Sequence, residues 1–414
     1  MKTRLYLAIA LTLAFCATCL AQEKTKVACV GNSITYGTGI ADREKDSYPV
    51  KLQALLGESY TVGNFGKPGA TLLNHGHRPY TEQEEYSKAL EFAGDIVVIH
   101  LGINDTDPRN WPNYRDEFVS DYCSLIDSFR KVNPDCRIII ARLTPIADRH
   151  PRFQSGTRDW LDQIQVEIER VATVKNVQLI DFHEPLYPYP NLLPDAIHPN
   201  EKGAEILART VYEGITGDFG GLRMPQLYSD GMMLQHGRSL VIEGKADAGE
   251  KVSVEIGRNT YESITSSRGE WSVTIAPLKA GNEYSLKVST PKKALSYSNI
   301  LAGDIWLCSG QSNMAFMLRE AATAETDIPE ASNPGIRLYD MKPRWATVNA
   351  EWDESALASV NELQYYKTDG WRTCNPESAK NFSAIGYYFA QRIQHDTSIP
   401  VGVICNAVGG SGIE

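Results

Sequence analysis

The sequence predicts an α/β protein: an open parallel sheet with helices on both faces, then a small antiparallel β-sandwich, then the beginning of a second α/β unit. Three observations predict it. From about residue 25 to 217, short apolar β-favouring runs alternate with amphipathic helical stretches. That texture ends at Gly217, Gly220, Gly221 and Pro225 and gives way to brief alternating runs up to residue 300. From Gly303 the strand-then-helix texture returns.

Residues 27–30 are apolar and are stopped by Gly31, as in a buried parallel strand. Ser33 follows at the carboxyl end of that strand, where open α/β sheets gather ligands and chemistry. On this stretch alone it reads equally as a nucleophile or as a cap of the next helix. Ser47 is placed to cap a helix running through Gly57. Residues 60–62 form a short strand and 64–71 a Gly/Pro-rich loop. Thr81, with Glu84 three residues on, makes a capping box for a helix ending near Phe92. Residues 96–101 are the strongest buried strand. A long amphipathic helix over 114–132 is stopped by Asn133-Pro134. Strand 137–143, helix 157–174, strand 177–181 and helix 201–215 complete the first unit. Beyond it, strands are predicted over 240–243, 251–256, 272–275 and 284–288, separated by turns such as Asp247-Ala248-Gly249. In the last part, strand 305–308, helix 382–394 and strand 401–406 stand out. With only two clear strands there, the chain reads as cut short within that unit.

The 414 residues are too many for one core. The expected division is a signal peptide over 1–21, an α/β domain over 22–217, a sandwich over 218–300 and an incomplete α/β domain over 301–414. A formal net charge of −10 argues against non-specific binding to nucleic acid or anionic membranes, so an anionic ligand needs local arginines. Lys2 and Arg4 precede an apolar run from Leu5 to Leu20, and Cys19-Leu20-Ala21 resembles a small-residue cleavage site. This is the pattern of a secretory signal, which predicts a periplasmic or secreted protein not inserted in the membrane after cleavage. A lipoprotein signal ending at Cys16 or Cys19 is the alternative, disfavoured by Phe15 and Thr18 before the cysteines. No other stretch is long and apolar enough to span a bilayer. Six cysteines remain after cleavage, with no zinc spacing or dense disulfide framework. Cys123 and Cys136 are a candidate pair, but one falls in mid-helix and the other at a strand start, a poor geometry for bridging.

Four blocks in the first unit carry chemistry: Gly31-Asn32-Ser33-Ile34-Thr35, Asn64-Phe65-Gly66-Lys67-Pro68-Gly69-Ala70-Thr71, Gly102-Ile103-Asn104-Asp105 and Asp195-Ala196-Ile197-His198-Pro199-Asn200. The first three each follow a strand at the same sheet edge, and the fourth precedes the last helix. Each alone is weak, and the set in this order is specific. It resembles the SGNH/GDSL hydrolases, an esterase superfamily with a flavodoxin-like three-layer fold. One departure is Asn32, where the family's name-motif has Asp, a residue outside the family's triad.

The resemblance implies Ser33 as nucleophile, His198 as general base and Asp195 as the carboxylate that fixes the imidazole tautomer. Backbone N–H groups of Ser33 and Gly69 and the Asn104 side-chain amide are the implied oxyanion donors. Pro199 keeps His198 out of the following helix. Asp195 also reads as a helix N-terminal carboxylate complementing the dipole. His75 and His77 suggest a metal only weakly, for lack of a third ligand, and no cofactor is implied. Arg78, Arg109, Arg142 and Arg149 lie on loops after strands. Each reads first as a surface charge, and one is a candidate to grip a carboxylate.

A second resemblance begins near Leu227. The blocks 227–235, 303–314, 381–384 and 409–414, including Gly310-Gln311-Ser312-Asn313-Met314, are similar to bacterial sialate O-acetylesterases, in which a β-sandwich precedes a second SGNH-type domain. It implies Ser312 as a nucleophile, with its own N–H and that of Gly409 or Gly410 as oxyanion donors. The family's later Asp-x-x-His has no counterpart before residue 414, so this half is expected to be inactive as it stands. Trp345, Trp352, Tyr365, Tyr366 and Trp371 read equally as sugar-stacking rings or as core. Together the resemblances imply an exported serine esterase that removes O-acetyl groups from sialic acid or related glycans. Acetylxylan or another polysaccharide ester, a lipid-directed esterase or thioesterase, and a non-catalytic glycan-binding protein are the alternatives.

Overall fold

A computed structural model describes residues 23–151, 157–345, 352–361 and 364–411. The leader over 1–21 and residues 412–414 lie outside the described residues. The first unit is a five-stranded parallel sheet of β1 (Thr25–Gly31), β2 (Tyr60–Gly66), β3 (Ile96–His100), β4 (Arg137–Arg142) and β5 (Gln178–Asp181), in the order β2-β1-β3-β4-β5. After β2 the chain returns past β1 to build outward through β3. This reversal opens a crevice at the carboxyl ends of β1 and β3, the place where doubly wound sheets bind ligands. Helices Tyr48–Leu56 and Glu201–Thr216 pack together, and Glu84–Phe92, Phe118–Val132 and Thr157–Lys175 form a second group.

The apolar runs form the sheet because both faces are covered. Val27, Ala28, Cys29, Val30, Val98, Ile99, Ile139 and Ile140 are all fully buried. Gly31 is dictated by close approach, since a Cβ there would sit 2.0 Å from Thr35 Oγ1 and 2.8 Å from the His100 carbonyl oxygen. Three local expectations fail. Ser47 stands at the N-cap of Tyr48–Leu56, but its side chain makes no capping hydrogen bond. Residues 64–66, expected as loop, extend β2 to Gly66. The helix near Phe92 starts at Glu84 with Gln83 at its N-cap, not Thr81. Residues Tyr80–Glu82 form a separate 3₁₀ turn, and the Thr81 hydroxyl donates instead to Asn74 Oδ1 at 2.7 Å. A tertiary partner has outcompeted the local cap. Cys123 and Cys136 are both free thiols.

Beyond Gly217, which caps the last helix with φ of +72°, the chain builds a mixed β region. Its largest sheet runs, in order, Trp371–Cys374, Asn333–Asp340, Val401–Ala407, Ala294–Gly310, Glu283–Ser289, Lys251–Ile256 and Asn259–Ile264, with Met233–Gln235 paired to Ala294–Gly310. Strands Leu240–Lys245 and Glu270–Ile275 pair separately, and their Ile242, Trp271 and Val273 share a core with Val252, Val254, Leu286 and Val288. The 17-residue strand Ala294–Gly310 is antiparallel to Glu283–Ser289 and parallel to Val401–Ala407. It passes through position 301 unbroken, so the antiparallel region and the later α/β region share one sheet. Strands Asn333–Asp340 and Trp371–Cys374 of the later region were not legible in the sequence, nor were the two-residue strands Lys342–Pro343 and Tyr366–Lys367. Asn333-Pro334-Gly335 reads as a turn, and a register shift between Asn333 and Arg337 breaks the alternation.

Candidate active site

Ser33 opens the one-turn helix Ser33–Tyr36 directly after β1. Asn32 caps that turn, its Oδ1 accepting the Ile34 N–H at 2.9 Å. The Ser33 hydroxyl thus comes from a strand end held rigid by the buried sheet.

The fourth block arrives from the other end of the sheet. Asn200 caps the helix Glu201–Thr216 by accepting the Lys202 and Gly203 N–H groups. Just before it, Asp195 Oδ1 accepts the backbone N–H groups of Ile197 and His198, while Oδ2 lies 2.5 Å from His198 Nδ1. His198 Nε2 lies 2.8 Å from Ser33 Oγ. With the proton on Nδ1 shared with Asp195, Nε2 is free to accept the serine proton. Burial works to raise the Asp195 carboxyl, but hydrogen bonds from the His198 ring and from the His198 and Ile197 backbone outweigh it and hold it below the usual carboxylate value. The carboxylate therefore stays charged beside the imidazole. Ala196, between the two, has φ of +72°, a left-handed conformation that costs a non-glycine residue energy. It is held by packing against Ala147 and Leu193 and by the Ala147 N–H donating to its carbonyl at 2.8 Å.

The implied oxyanion donors gather at the same crevice. Gly69 has φ of +79°, a conformation that favours glycine. Among the described residues, neither its N–H nor that of Ser33 donates to a protein acceptor. Asn104, on the 3₁₀ turn after β3, uses one amide N–H on the Ala70 carbonyl at 2.9 Å, leaving the other for a ligand. Two supporting residues escaped the sequence reading. Asp105 is fully buried, and its carboxylate accepts the N–H groups of Leu72 and Leu73 at 2.9 and 2.8 Å. Burial pushes it up to about 6, against the lowering effect of those backbone bonds. Asn110 is also fully buried; its Oδ1 accepts the His77 N–H and its Nδ2 donates to the Asn104 carbonyl. Both tie the Gly69 loop to the turn that carries Asn104. Asp105 stands next to Asn104 in the third block, so its position was visible and its bonding was not.

Residues 29–206 match the model of the GDSL-like lipase/acylhydrolase family. The N-terminal half carries a GDSL/SGNH hydrolase domain. Among curated relatives, an acetylxylan esterase of Xylanibacter ruminicola is 36% identical over 215 residues, covering 47% of this chain and 44% of that one. The human sialate O-acetylesterase is 26% identical over 206 residues, covering 47% and 38%. A solved carbohydrate acetylesterase from Xanthomonas citri aligns at 25% identity over 47% of this chain and 41% of its own, with a TM-score of 0.40. The chain spans less than half the length of these curated relatives.

The other candidates fall elsewhere. His75 Nδ1 lies 2.7 Å from Glu117, and His77 Nδ1 faces Asn110. Among the described residues no cluster of three or more His, Cys, Asp or Glu could hold a metal. Ser312 is exposed on the turn after Ala294–Gly310, and a Cβ at Gly409 would sit 3.6 Å from its hydroxyl, so those two blocks do meet. Gly410 is exposed with φ of +81°. No histidine among the described residues hydrogen-bonds to Ser312. Trp371 is core, buried against Tyr339 with its indole N–H on the Leu227 carbonyl. Trp345, Trp352 and Tyr365 are half-buried rings with centroids 5.9–6.4 Å apart.

Proposed function

We propose that this protein is an exported serine esterase that removes O-acetyl groups from sialic acid or related glycans through an acetyl-serine intermediate. The single observation that carries the reading is the hydrogen-bonded chain Asp195–His198–Ser33 at the sheet's switch point. In acylation His198 Nε2 takes the Ser33 proton as Oγ attacks the acetyl carbonyl. The negative oxygen that forms is met by the Ser33 and Gly69 N–H groups and the Asn104 amide. Collapse expels the sugar alkoxide, which takes the proton from His198 and leaves Ser33 acetylated. Water, deprotonated by the same imidazole, then attacks the acetyl group and releases acetate. Asp195 keeps Nδ1 protonated throughout and stabilises the imidazolium.

The sugar acetyl substrate is supported by the acetylesterases among the relatives, and export by the leader pattern of residues 1–21. The acetylxylan esterase of Xylanibacter ruminicola, the more identical relative, favours acetylated xylan as a second reading. We further propose that residues 22–217 are the catalytic domain, followed by the β region over 218–300 and part of a second SGNH-type domain.

The test is acetate release from O-acetylated sialic acid and from acetylated xylan, comparing wild type with Ser33→Ala. The expected result is loss of about 10⁴-fold or more in the variant. Equal release by both proteins would remove Ser33 as the nucleophile, and no release by either would leave a glycan-binding reading. A preference for long acyl chains in a p-nitrophenyl ester series would point to a lipid-directed enzyme.

A further inference from the structure

Four arginines stand at or just beyond the strand ends of the hydrolase domain, Arg142 closing β4 and the others on loops, and their partners separate them. Arg109 is spent on Asp107, its Nε and Nη2 each about one hydrogen-bond length from the carboxylate. Arg142 bonds Asp181 and faces Glu169. Arg149 donates to the Pro190 and Leu193 carbonyls, bracing the loop that leads to Asp195. Arg149 meets no carboxylate among the described residues, but Arg78 is set apart by its place against Gly69. The Arg78 guanidinium donates from Nη1 to the Pro68 carbonyl at 3.1 Å, and no carboxylate among the described residues pairs with it either. Nearby Lys67 is neutralised by Glu85 at 3.0 Å.

The position of Arg78 is fixed as well as free of anions. A Cβ built on Gly69 would meet Arg78 Nη1 at 3.3 Å and Cδ at 3.5 Å, so the side chain lies over the residue proposed above as an oxyanion donor. Its backbone is clamped to the same loop. The Arg78 carbonyl accepts the Thr71 N–H at 2.8 Å, and the Tyr80 N–H donates to the Thr71 carbonyl at 2.9 Å. Asp105 in turn holds Leu72 and Leu73. The guanidinium therefore sits at the rim of the crevice with Nε and Nη2 open and with little freedom in its anchor. A planar fork with two open donors matches a carboxylate.

We infer that Arg78 is the carboxylate-binding group of the sugar subsite beside Ser33 and that it selects acetyl esters of acidic sugars over those of neutral ones. The inference rests on the esterase reading above and names the substrate class of that site. It places the acetyl group at Ser33 and the sugar's carboxylate at Arg78, beside the Gly69 turn. Being exposed, the pair is screened by salt, so the selectivity falls as ionic strength rises.

The experiment measures acetate release from an O-acetylated N-acetylneuraminic acid and from its carboxyl methyl ester, in wild type, Arg78→Gln and Arg78→Lys. The readout is the ratio of kcat/KM for acid over methyl ester. Wild type is expected to favour the acid by about tenfold, the scale of a hydrogen bond to a charged group. Arg78→Gln brings the ratio close to one, and Arg78→Lys, which keeps the charge but not the fork, falls between. A wild-type ratio near one, or one that Arg78→Gln leaves in place, overturns the inference. In either case p-nitrophenyl acetate turnover that is lost in Ser33→Ala keeps the esterase reading standing. A calorimetric titration of free N-acetylneuraminic acid reads the same subsite without turnover. Binding to Ser33→Ala that disappears in Ser33→Ala/Arg78→Gln supports the inference, and equal binding by both, or by neither, overturns it.

Discussion

Ser33 and Ser312 stand at the ends of two parallel strands, each followed by a single helical turn, yet they occupy different chemical situations. Ser33 is 6% exposed, its turn is capped by the Asn32 side chain, and an imidazole backed by a carboxylate lies on its hydroxyl. Ser312 is exposed, Gln311 makes no side-chain cap, and its near neighbour is the backbone at Gly409. A strand that delivers a serine to a sheet edge supplies only a hydroxyl, which is a weak nucleophile. The base has to be brought by another segment, and at Ser33 it comes from 165 positions away.

The largest expected effect comes from making the first site like the second. His198→Ala strips the hydroxyl of its base, and kcat for p-nitrophenyl acetate should fall by about 10⁴-fold or more with folding intact by circular dichroism. Retention of more than a tenth of the rate would mean that Ser33 draws on another base. Asn104→Ala tests the second feature that sets Ser33 apart. Loss of an oxyanion donor should lower kcat by about 10²–10³ with little change in KM. A rise in KM alone would assign Asn104 to ground-state binding.

A smaller effect is expected at the support. Asp105→Asn can accept only one of the two N–H groups that the carboxylate now takes, and should cost about 1–3 kcal/mol in urea unfolding. Burial raises this carboxyl from 3.8 to about 6, so between those pH values the folded protein keeps a proton that the unfolded chain has released. Its contribution to stability is therefore full below about pH 4 and lost as pH rises through about 6. Unfolding curves at several pH values should show that this slope flattens in Asp105→Asn. The smallest effect is expected at the other serine. Ser312→Ala should leave acetate release by this chain within about twofold, surface substitutions away from a site being nearly neutral. A larger loss would show that the β region takes part in the reaction.

Legibility followed the range of the interactions. Strands β1, β3 and β4 were readable because each is a run of largely buried apolar residues closed by a turn, and that pattern is local, whereas β2 and β5 are only partly buried and more polar. The four blocks were readable for the same reason. The capping box at Thr81 misled because Asn74, seven positions earlier, offered the hydroxyl a better partner. Strand Asn333–Asp340 was hidden because Arg337 is buried within it, its guanidinium donating to the Pro334 carbonyl three residues earlier and to Asn299 Oδ1 on a remote segment. Among the aromatics, nothing in the residue types separated Trp371, which fills a core, from Trp345 and Trp352, which do not.

The sequence by itself determined which small polar residues follow β1 and β3 and so arrive at the sheet's edge, because hydrophobic periodicity and turn chemistry act between near neighbours. Only the tertiary structure decided which of those residues meet: that His198 reaches Ser33 while Ser312 gains no such partner among the described residues, and that Arg109 and Arg142 are paired with carboxylates while Arg78 lies against Gly69. Pairing of charges and donors depends on distances of a few ångström set by packing of remote segments, and no local pattern encodes them.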